Sequence, residues 1–340
     1  MVKVGLIGIG FMGYSHYQIY KKHPRAKIVA IADHHPCKLE GKWGAIGGNL
    51  GDMTREQEDL TGINAYRDPL KLIDDPDVEL VDICLPTDKH HDVAVAALKA
   101  GKHVFCEKPV ARTSQQAANI ARTAARAKGY FMVGHCIRFW PEYQVTYDMI
   151  KSGKYGPVQE IFLRRVANPP LTGDKNWFMN SKRSGGAILD LQIHDVDFLL
   201  YLCGKPKRVR AWGDKGPSKG YDIIHAAFEY PRNVHATIVA GWGYQHPFPF
   251  DMSFCIRCEK ATFDYDMKCG PLRVYAGKDK PIEPRLPAGS GWDRELDYFI
   301  KCVEKKTPPT VVTASSSLES IRLVEAELES IATGKAVSFR

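Results

Sequence analysis

The segment Gly8-Ile9-Gly10-Phe11-Met12-Gly13 restricts this chain more than any other. The residues before it, Val2-Lys3-Val4-Gly5-Leu6-Ile7, form a short apolar run that reads as a buried strand, and residues 14–22 behind it read as a helix. G-x-G-x-x-G alone is a weak pattern, but between a strand and a helix it is specific. The first glycine permits a tight turn, the second lets backbone approach a pyrophosphate, and the third lets helix pack closely on strand. The helix N-terminus then offers its N–H groups to phosphate. Asp33 stands twenty residues beyond Gly13, at the end of the next apolar run, 26–32. A carboxylate there accepts hydrogen bonds from the adenine ribose hydroxyls and repels a 2′-phosphate, which favours NAD over NADP. His34, His35 and Lys38 follow and keep NADP open as the lesser alternative. Gly8, Gly10, Phe11, Met12, Gly13 and Asp33 are thus the expected cofactor contacts of a Rossmann-type domain.

The rest of the chain divides by pattern. Up to about residue 130, apolar runs at 3–7, 26–32, 80–85, 103–106 and 130–133 alternate with amphipathic stretches, clearest at 92–100 and 114–127. That alternation predicts βαβ units and a parallel sheet. Gly101 and Gly129 follow those stretches where a left-handed cap is wanted. The glycine-rich stretch 41–52 predicts a surface loop. Beyond about residue 135, extended segments recur at 158–166, 207–212, 223–230, 234–242, 252–257 and 261–265, joined by turns such as Pro231-Arg232-Asn233. These predict mainly antiparallel pairing, interrupted by helices at 187–203, 294–305 and 317–333. The expected fold is an α/β Rossmann domain with a doubly wound, mostly parallel sheet over 1–134. An α+β domain with a large open mixed or antiparallel sheet follows over 135–340, its last segment free to pack back on the first domain.

Composition narrows the class of function. Of 340 residues, 44% are hydrophobic and 25% charged, the balance of a globular chain with a sizeable core. No apolar run approaches the about 18 residues that a membrane span needs. Residues 2–8 are too short and glycine-rich for the apolar part of a signal peptide, so a cytoplasmic location is expected. There the nine cysteines are reduced thiols. Cys255-x-x-Cys258 lies in a strand-like segment, where residues three apart point to opposite faces, so it reads as buried cysteines and not as a metal site. The net charge of +8 carries no arginine-rich block, and no nucleic-acid partner is expected.

Two further segments carry chemistry. Glu107-Lys108-Pro109 directly follows the run 103–106, at the carboxyl edge of the predicted sheet, where doubly wound folds bind their ligands. A lysine there supplies a cation beside the cofactor, although by itself it also reads as a surface residue in a turn. Gly185-Gly186 opens a predicted helix in which Asp190 and His194 stand at i and i+4. A carboxylate one turn from an imidazole can set its orientation and tautomer, as a general base requires. A core histidine bonded to a structural aspartate explains that segment alone equally well.

In this order the motifs resemble the glucose–fructose oxidoreductase/inositol dehydrogenase (Gfo/Idh/MocA) family over nearly the whole chain. The resemblance rests on the glycine fingerprint, Pro86-x-x-x-His90, the run 100–109 ending Glu107-Lys108-Pro109, the Gly-Gly…Asp190-x-x-x-His194 segment, and the ending 325–335. It implies that Lys108 and His194 flank a substrate hydroxyl at the nicotinamide, with Asp190 supporting them. It implies cofactor contacts also at Leu85, Pro86, Thr87, His90, Glu107 and Lys108; no metal is expected, because the histidines and cysteines offer no open three-ligand set at usable spacing. The implied substrate is a sugar, polyol or related cyclic alcohol, and the open sheet implies a homodimer or homotetramer. Arg138, Trp140 and Trp177 are candidate substrate contacts, with domain-junction packing an equal reading for the first two. Two rival functions remain: a glycoside hydrolase that oxidises its sugar transiently with NAD, and a non-enzymatic NAD(P) sensor, against which the Lys108/His194 pair argues.

Overall fold

Six strands make up the first sheet: β1 (Val2–Ile7), β2 (Ala26–Ala32), β3 (Asn64–Tyr66), β4 (Leu80–Ile83), β5 (His103–Glu107) and β6 (Phe131–Gly134). The structure, a computed structural model, describes residues 1–44, 46, 57–171 and 173–339. The six strands pair in parallel in the order β3-β2-β1-β4-β5-β6, that of a doubly wound dinucleotide-binding sheet. A parallel sheet is covered on both faces, and so β1, β4 and β6 are almost wholly buried along their length. The crossovers include helices Phe11–Lys22, Thr87–Lys99 and Ser114–Ala124, the last capped by the Thr113 hydroxyl accepting the Gln116 N–H.

The expected surface loop at 41–52 needs correcting where it is described. Trp43 is fully buried, edge-on to Tyr14 at 5.7 Å and Tyr17 at 4.6 Å, and its indole N–H donates to Lys38 O at 2.7 Å. One large apolar side chain pins the start of the stretch to the first helix. Most of the remainder lies outside the described residues.

The chain forms two compact units that are not contiguous in sequence. One comprises Met1–His135, Leu171–Phe178 and Trp292–Ile321; the other comprises Cys136–Pro170, Met179–Gly291 and Arg322–Arg340. The second is built on a sheet of β7 (Val158–Val166), β8 (Arg208–Lys215), β9 (Tyr221–Glu229), β10 (His235–Gly241), β11 (Asp251–Cys258), β12 (Thr262–Asp266), β13 (Arg273–Tyr275) and β14 (Val337–Ser338). Its order is β13-β12-β11-β7-β10-β9-β8-β14, antiparallel except for the parallel pair β7–β10. One face is core: Ile161, Leu163, Ile238, Phe254 and Ile256 are buried, and Tyr143 stands edge-on to Phe198 and Phe254 at 4.9 and 4.8 Å. Cys258 joins the buried face and its thiol is pushed up to about 11 by burial, while Cys255 is half-buried on the other face. Phe162, Trp212, Ile223 and Tyr275 remain exposed. Among the described residues no helix is long and apolar enough to cross a membrane.

Candidate active site

The glycine turn is enforced by packing at two positions and left open at the third. Gly8 has φ +92°, and a Cβ there would meet Cys84 O at 2.6 Å; a Cβ on Gly13 would meet Gly8 O at 1.9 Å. Neither position admits a side chain. A Cβ on Gly10 would meet nothing within 4 Å, so the backbone there borders open space. Gly10 also caps the Phe11–Lys22 helix, whose first turn holds no acidic residue and whose end receives no side-chain cap. The positive end of that helix therefore faces the space beside Gly10, the setting a pyrophosphate requires. Phe11 and Met12 are half-buried, Phe11 standing edge-on to Trp292 at 6.3 Å.

Asp33 is held beside this turn. Its Oδ2 accepts the Ile9 N–H and its Oδ1 accepts the His35 N–H, both at 2.9 Å, and Lys38 Nζ lies 3.4 Å from Oδ2. Asp174 reaches the same region, 3.3 Å from His34 Nε2 and 3.2 Å from His35 Nε2. A buried carboxylate at the end of β2 and an open, uncapped glycine turn at the end of β1 fit the ribose and pyrophosphate of NAD.

Two neighbouring strands, β4 and β5, present the remaining candidates on the same carboxyl edge. Leu85, Pro86 and Thr87 follow β4, and Lys108, half-buried, follows β5. His90 is buried and ties the two ends together, Nε2 lying 2.7 Å from Leu85 O and Nδ1 2.8 Å from Pro109 O. Burial pushes this imidazole below its usual value, against the pull of the two carbonyls. Its ring is therefore spent on backbone, and any service to the cofactor runs through the two loops it joins. Glu107 accepts the Lys108 N–H on Oε2 at 3.0 Å, and its Oε1 lies 3.3 Å from His16 Nε2. Burial opposes its charge, but His16 and Lys108 outweigh that and hold the carboxyl below the ordinary glutamate value.

In the second unit the glycine pair serves a turn between short helices. Gly185 and Gly186 have φ of +95° and +74°, and the Ala187 N–H donates to Asp222 Oδ1 at 2.9 Å. The single helix expected over 187–203 is instead two, Ala187–Asp190 and Ile193–Cys203. The ladder slips between them: the Gln192 N–H reaches back five residues to Ala187 O, while the Asp195 and Val196 N–H groups both point to Gln192 O. Asp190 and His194 thus stand on either side of a helix irregularity, not one turn apart on a regular face. Asp190 is buried and His194 half-buried.

The sequence reading missed two ion pairs on the helix that carries His194. Arg165 holds Asp195 through two hydrogen bonds of 2.9 Å, and Arg138 holds Asp197 through two of 2.7 Å. All four side chains are buried. Aspartates inside an apolar helix were the available signal, since a buried charge demands a partner. Arg138, a candidate substrate contact, is 4% exposed, bound to Asp197 and stacked 4.6 Å over Tyr201, contacts that suit the packing alternative and anchor the helix. Trp140 is half-buried in the second unit, and Trp177, in the first, is stacked on Phe178 at 4.0 Å.

An uncapped glycine turn, an acidic residue closing β2 and a separate open mixed sheet together define an NAD-binding oxidoreductase. Residues 2–135 match the oxidoreductase family with an NAD-binding Rossmann fold, and residues 143–264 match the GFO/IDH/MocA C-terminal domain. The chain is similar to an uncharacterized oxidoreductase, YrbE, of Bacillus subtilis (strain 168), 30% identical over 99% of this chain and 96% of that one. It is also similar to inositol 2-dehydrogenase of Rhizobium meliloti (strain 1021), 26% identical over 99% of both chains. Levoglucosan dehydrogenase, solved with NADH and levoglucosan, shares the fold with a TM-score of 0.84 over 99% of both chains at 23% identity. The chain belongs to the Gfo/Idh/MocA family of oxidoreductases.

Proposed function

We propose that this oxidoreductase acts on a ring hydroxyl of a sugar, polyol or related cyclic alcohol, with NAD as its partner. The observation that carries the reading is the placement of the Gly8–Gly13 turn, the Leu85–Thr87 loop and Lys108 at the carboxyl ends of three adjacent strands, β1, β4 and β5. The inositol and levoglucosan dehydrogenases among the relatives support the substrate class.

When bound, NAD supplies the hydride acceptor. Gly10 and the helix N-terminus would hold its pyrophosphate and Asp33 its ribose. His194 accepts the proton of the substrate hydroxyl, and Lys108 hydrogen-bonds the same oxygen and stabilises its developing charge. Asp190 supports the imidazole. In the reverse direction His194 returns the proton to a carbonyl.

A spectrophotometric screen for NADH across inositols, free sugars and anhydrosugars tests this. NADH accumulating with a free polyol is the expected result. Glycoside cleavage without net NADH would make the enzyme a hydrolase, and NAD binding with neither would make it a sensor.

Two further proposals concern its state. The exposed face bearing Phe162, Trp212, Ile223 and Tyr275 packs against a second copy, giving a dimer or tetramer by light scattering. The nine cysteines, none of them in a disulfide, suit a reducing compartment and support the cytoplasm as its location.

A further inference from the structure

Behind the carboxyl edge, the first unit buries a group of ionisable side chains from four elements. His16 comes from the Phe11–Lys22 helix, Asp82 from β4, Glu107 from β5 and Glu295 from the helix Gly291–Glu304. His16, Asp82 and Glu295 are 0% exposed, and Glu107 is 5% exposed. His16 Nδ1 lies 2.9 Å from Asp82 Oδ2, which also accepts the Tyr20 hydroxyl at 2.9 Å. On the far side of the ring, Nε2 lies 3.3 Å from Glu107 Oε1. The nearest ligand atoms of His16, Glu107 and Glu295 all lie within 4.8 Å of one another, and among the described residues neither Glu295 oxygen nor His16 Nε2 has a hydrogen-bond partner.

Three carboxyl groups and one imidazole buried together cannot all be ionised and unpaired. Least charge is left unpaired with an imidazolium between the Asp82 and Glu107 carboxylates and Glu295 keeping its proton, which leaves the group one net negative charge. Burial alone lowers the His16 imidazole, but Cys84 and Asp82 reverse this and raise it well above its usual value. Cys84 is itself pushed up by burial and stays a neutral thiol, so Asp82 is the charge responsible. Glu295 is raised well above the glutamate range, by burial first and then by Glu107.

We propose that His16 and Glu107 are positioning residues for Lys108: the imidazole, fixed by Asp82 and Tyr20, holds the Glu107 carboxylate, which fixes the backbone N–H of Lys108. The inference rests on the role given to Lys108 above. Glu107 hydrogen-bonds the Lys108 N–H with one oxygen and faces the His16 ring at ion-pair distance with the other, so removing His16 withdraws that attraction, frees its rotamer and with it the point from which the lysine side chain departs. A displacement of about 1 Å at such a group can cost about a hundredfold in rate. The network is continuous with the glycine turn, because His16 lies on the helix that the turn opens.

The test is a double-mutant cycle of His16→Gln and Lys108→Ala, assayed with NAD and myo-inositol, or with whichever polyol the wild type oxidises. His16→Gln is expected to lower kcat by about tenfold to a hundredfold with the KM for NAD within about twofold, and to lower it no further in the Lys108→Ala background. An unchanged kcat, or two losses that simply multiply, overturns the proposal. Normal turnover by Lys108→Ala would instead remove the role of Lys108 itself, so the two failures are told apart. A second measurement needs no variant or substrate: nitrogen NMR of histidine-labelled wild type should show His16 protonated on both ring nitrogens at neutral pH. A neutral imidazole there overturns the network, as does a stoichiometric metal ion on His16, Glu107 and Glu295.

Discussion

Asp33 Oδ2 accepts the Ile9 N–H at 2.9 Å, so the carboxylate at the end of β2 also braces the glycine turn at the end of β1. Its two oxygens are divided between Ile9 and His35, which leaves the group fixed in position and still able to accept from a ribose hydroxyl on its remaining lone pairs. Charge and bracing can be separated by substitution. Asp33→Asn keeps an acceptor for the Ile9 N–H and loses the charge, while Asp33→Ala loses both. Steady-state kinetics with both cofactors should show Asp33→Asn shifting preference toward NADP by about tenfold or more with little loss of Tm. Asp33→Ala should weaken NAD further and lower Tm as well. A mutant pair with the wild-type cofactor preference would end the ribose assignment.

The proposed chemistry separates Lys108 and His194 from structural residues. His194→Ala should lower turnover by about 10²- to 10⁴-fold while the KM for NAD stays within about twofold. Lys108→Ala removes a charge-assisted donor from the reacting oxygen and should cost about 10²- to 10³-fold. Lys108→Arg should not restore activity, because a planar fork does not occupy the place of a compact ammonium. Thermal melts within a few degrees of wild type are part of the expected result. A His194→Ala protein that melts early yet turns over normally when folded would make His194 a core residue.

What could be read from the sequence was local, and what could not was tertiary. β2 at Ala26–Ala32 and β7 at Val158–Val166 have the predicted ends because an apolar run in the first and a mixed extended segment in the second are bounded by turn residues. β3 escaped notice because Asn64-Ala65-Tyr66 carries no apolar run and is a strand only through its pairing with β2. The glycine content of 41–52 pointed to a loop, yet Trp43 is buried by tyrosines of a helix distant in sequence. The candidate site follows the same division. The glycine turn, Asp33 and Lys108 sit on motifs whose spacing is visible, whereas His16 read only as part of a helix, since its partners Asp82 and Glu107 are 66 and 91 positions away.

The Arg138–Asp197 pair predicts a stability defect in place of a binding defect. Both side chains are buried and joined by two hydrogen bonds of 2.7 Å, so Asp197→Ala leaves a guanidinium buried without its counter-charge. Breaking one side of such a pair costs about 3–5 kcal/mol. Arg138→Met should be destabilising in the same way, and the double substitution should cost less than the two single losses added. The KM for polyol should be unchanged in Arg138→Met. A tenfold rise in that KM at normal Tm would return Arg138 to the substrate pocket.

Glu295 gives the network a pH signature in stability. Its folded pKa lies well above the ordinary glutamate value of 4.5, because burial and the Glu107 and Asp82 charges oppose ionisation more than His16 assists it. Below pH 4.5 the residue is protonated whether the chain is folded or not, and it contributes nothing to the pH dependence. Above that point the unfolded chain loses the proton and the folded chain keeps it, so stability falls as pH rises, by up to about 1.4 kcal/mol per pH unit for one proton. The loss continues until pH reaches the raised folded value. His16 slopes the same way: with its folded pKa raised, its contribution is complete below 6.5 and disappears as pH climbs through the folded value. Glu295→Gln keeps the shape of the neutral acid and removes the proton. Its Tm should match that of wild type near pH 4.5 and exceed it increasingly toward pH 8, by about 2–4 °C for each kcal/mol in folding units of this size. Melting curves across that range measure the difference directly. A Glu295→Gln protein that is less stable than wild type at pH 8, or offset by the same amount at every pH, would mean that Glu295 is ionised in the fold and pairs with His16 itself.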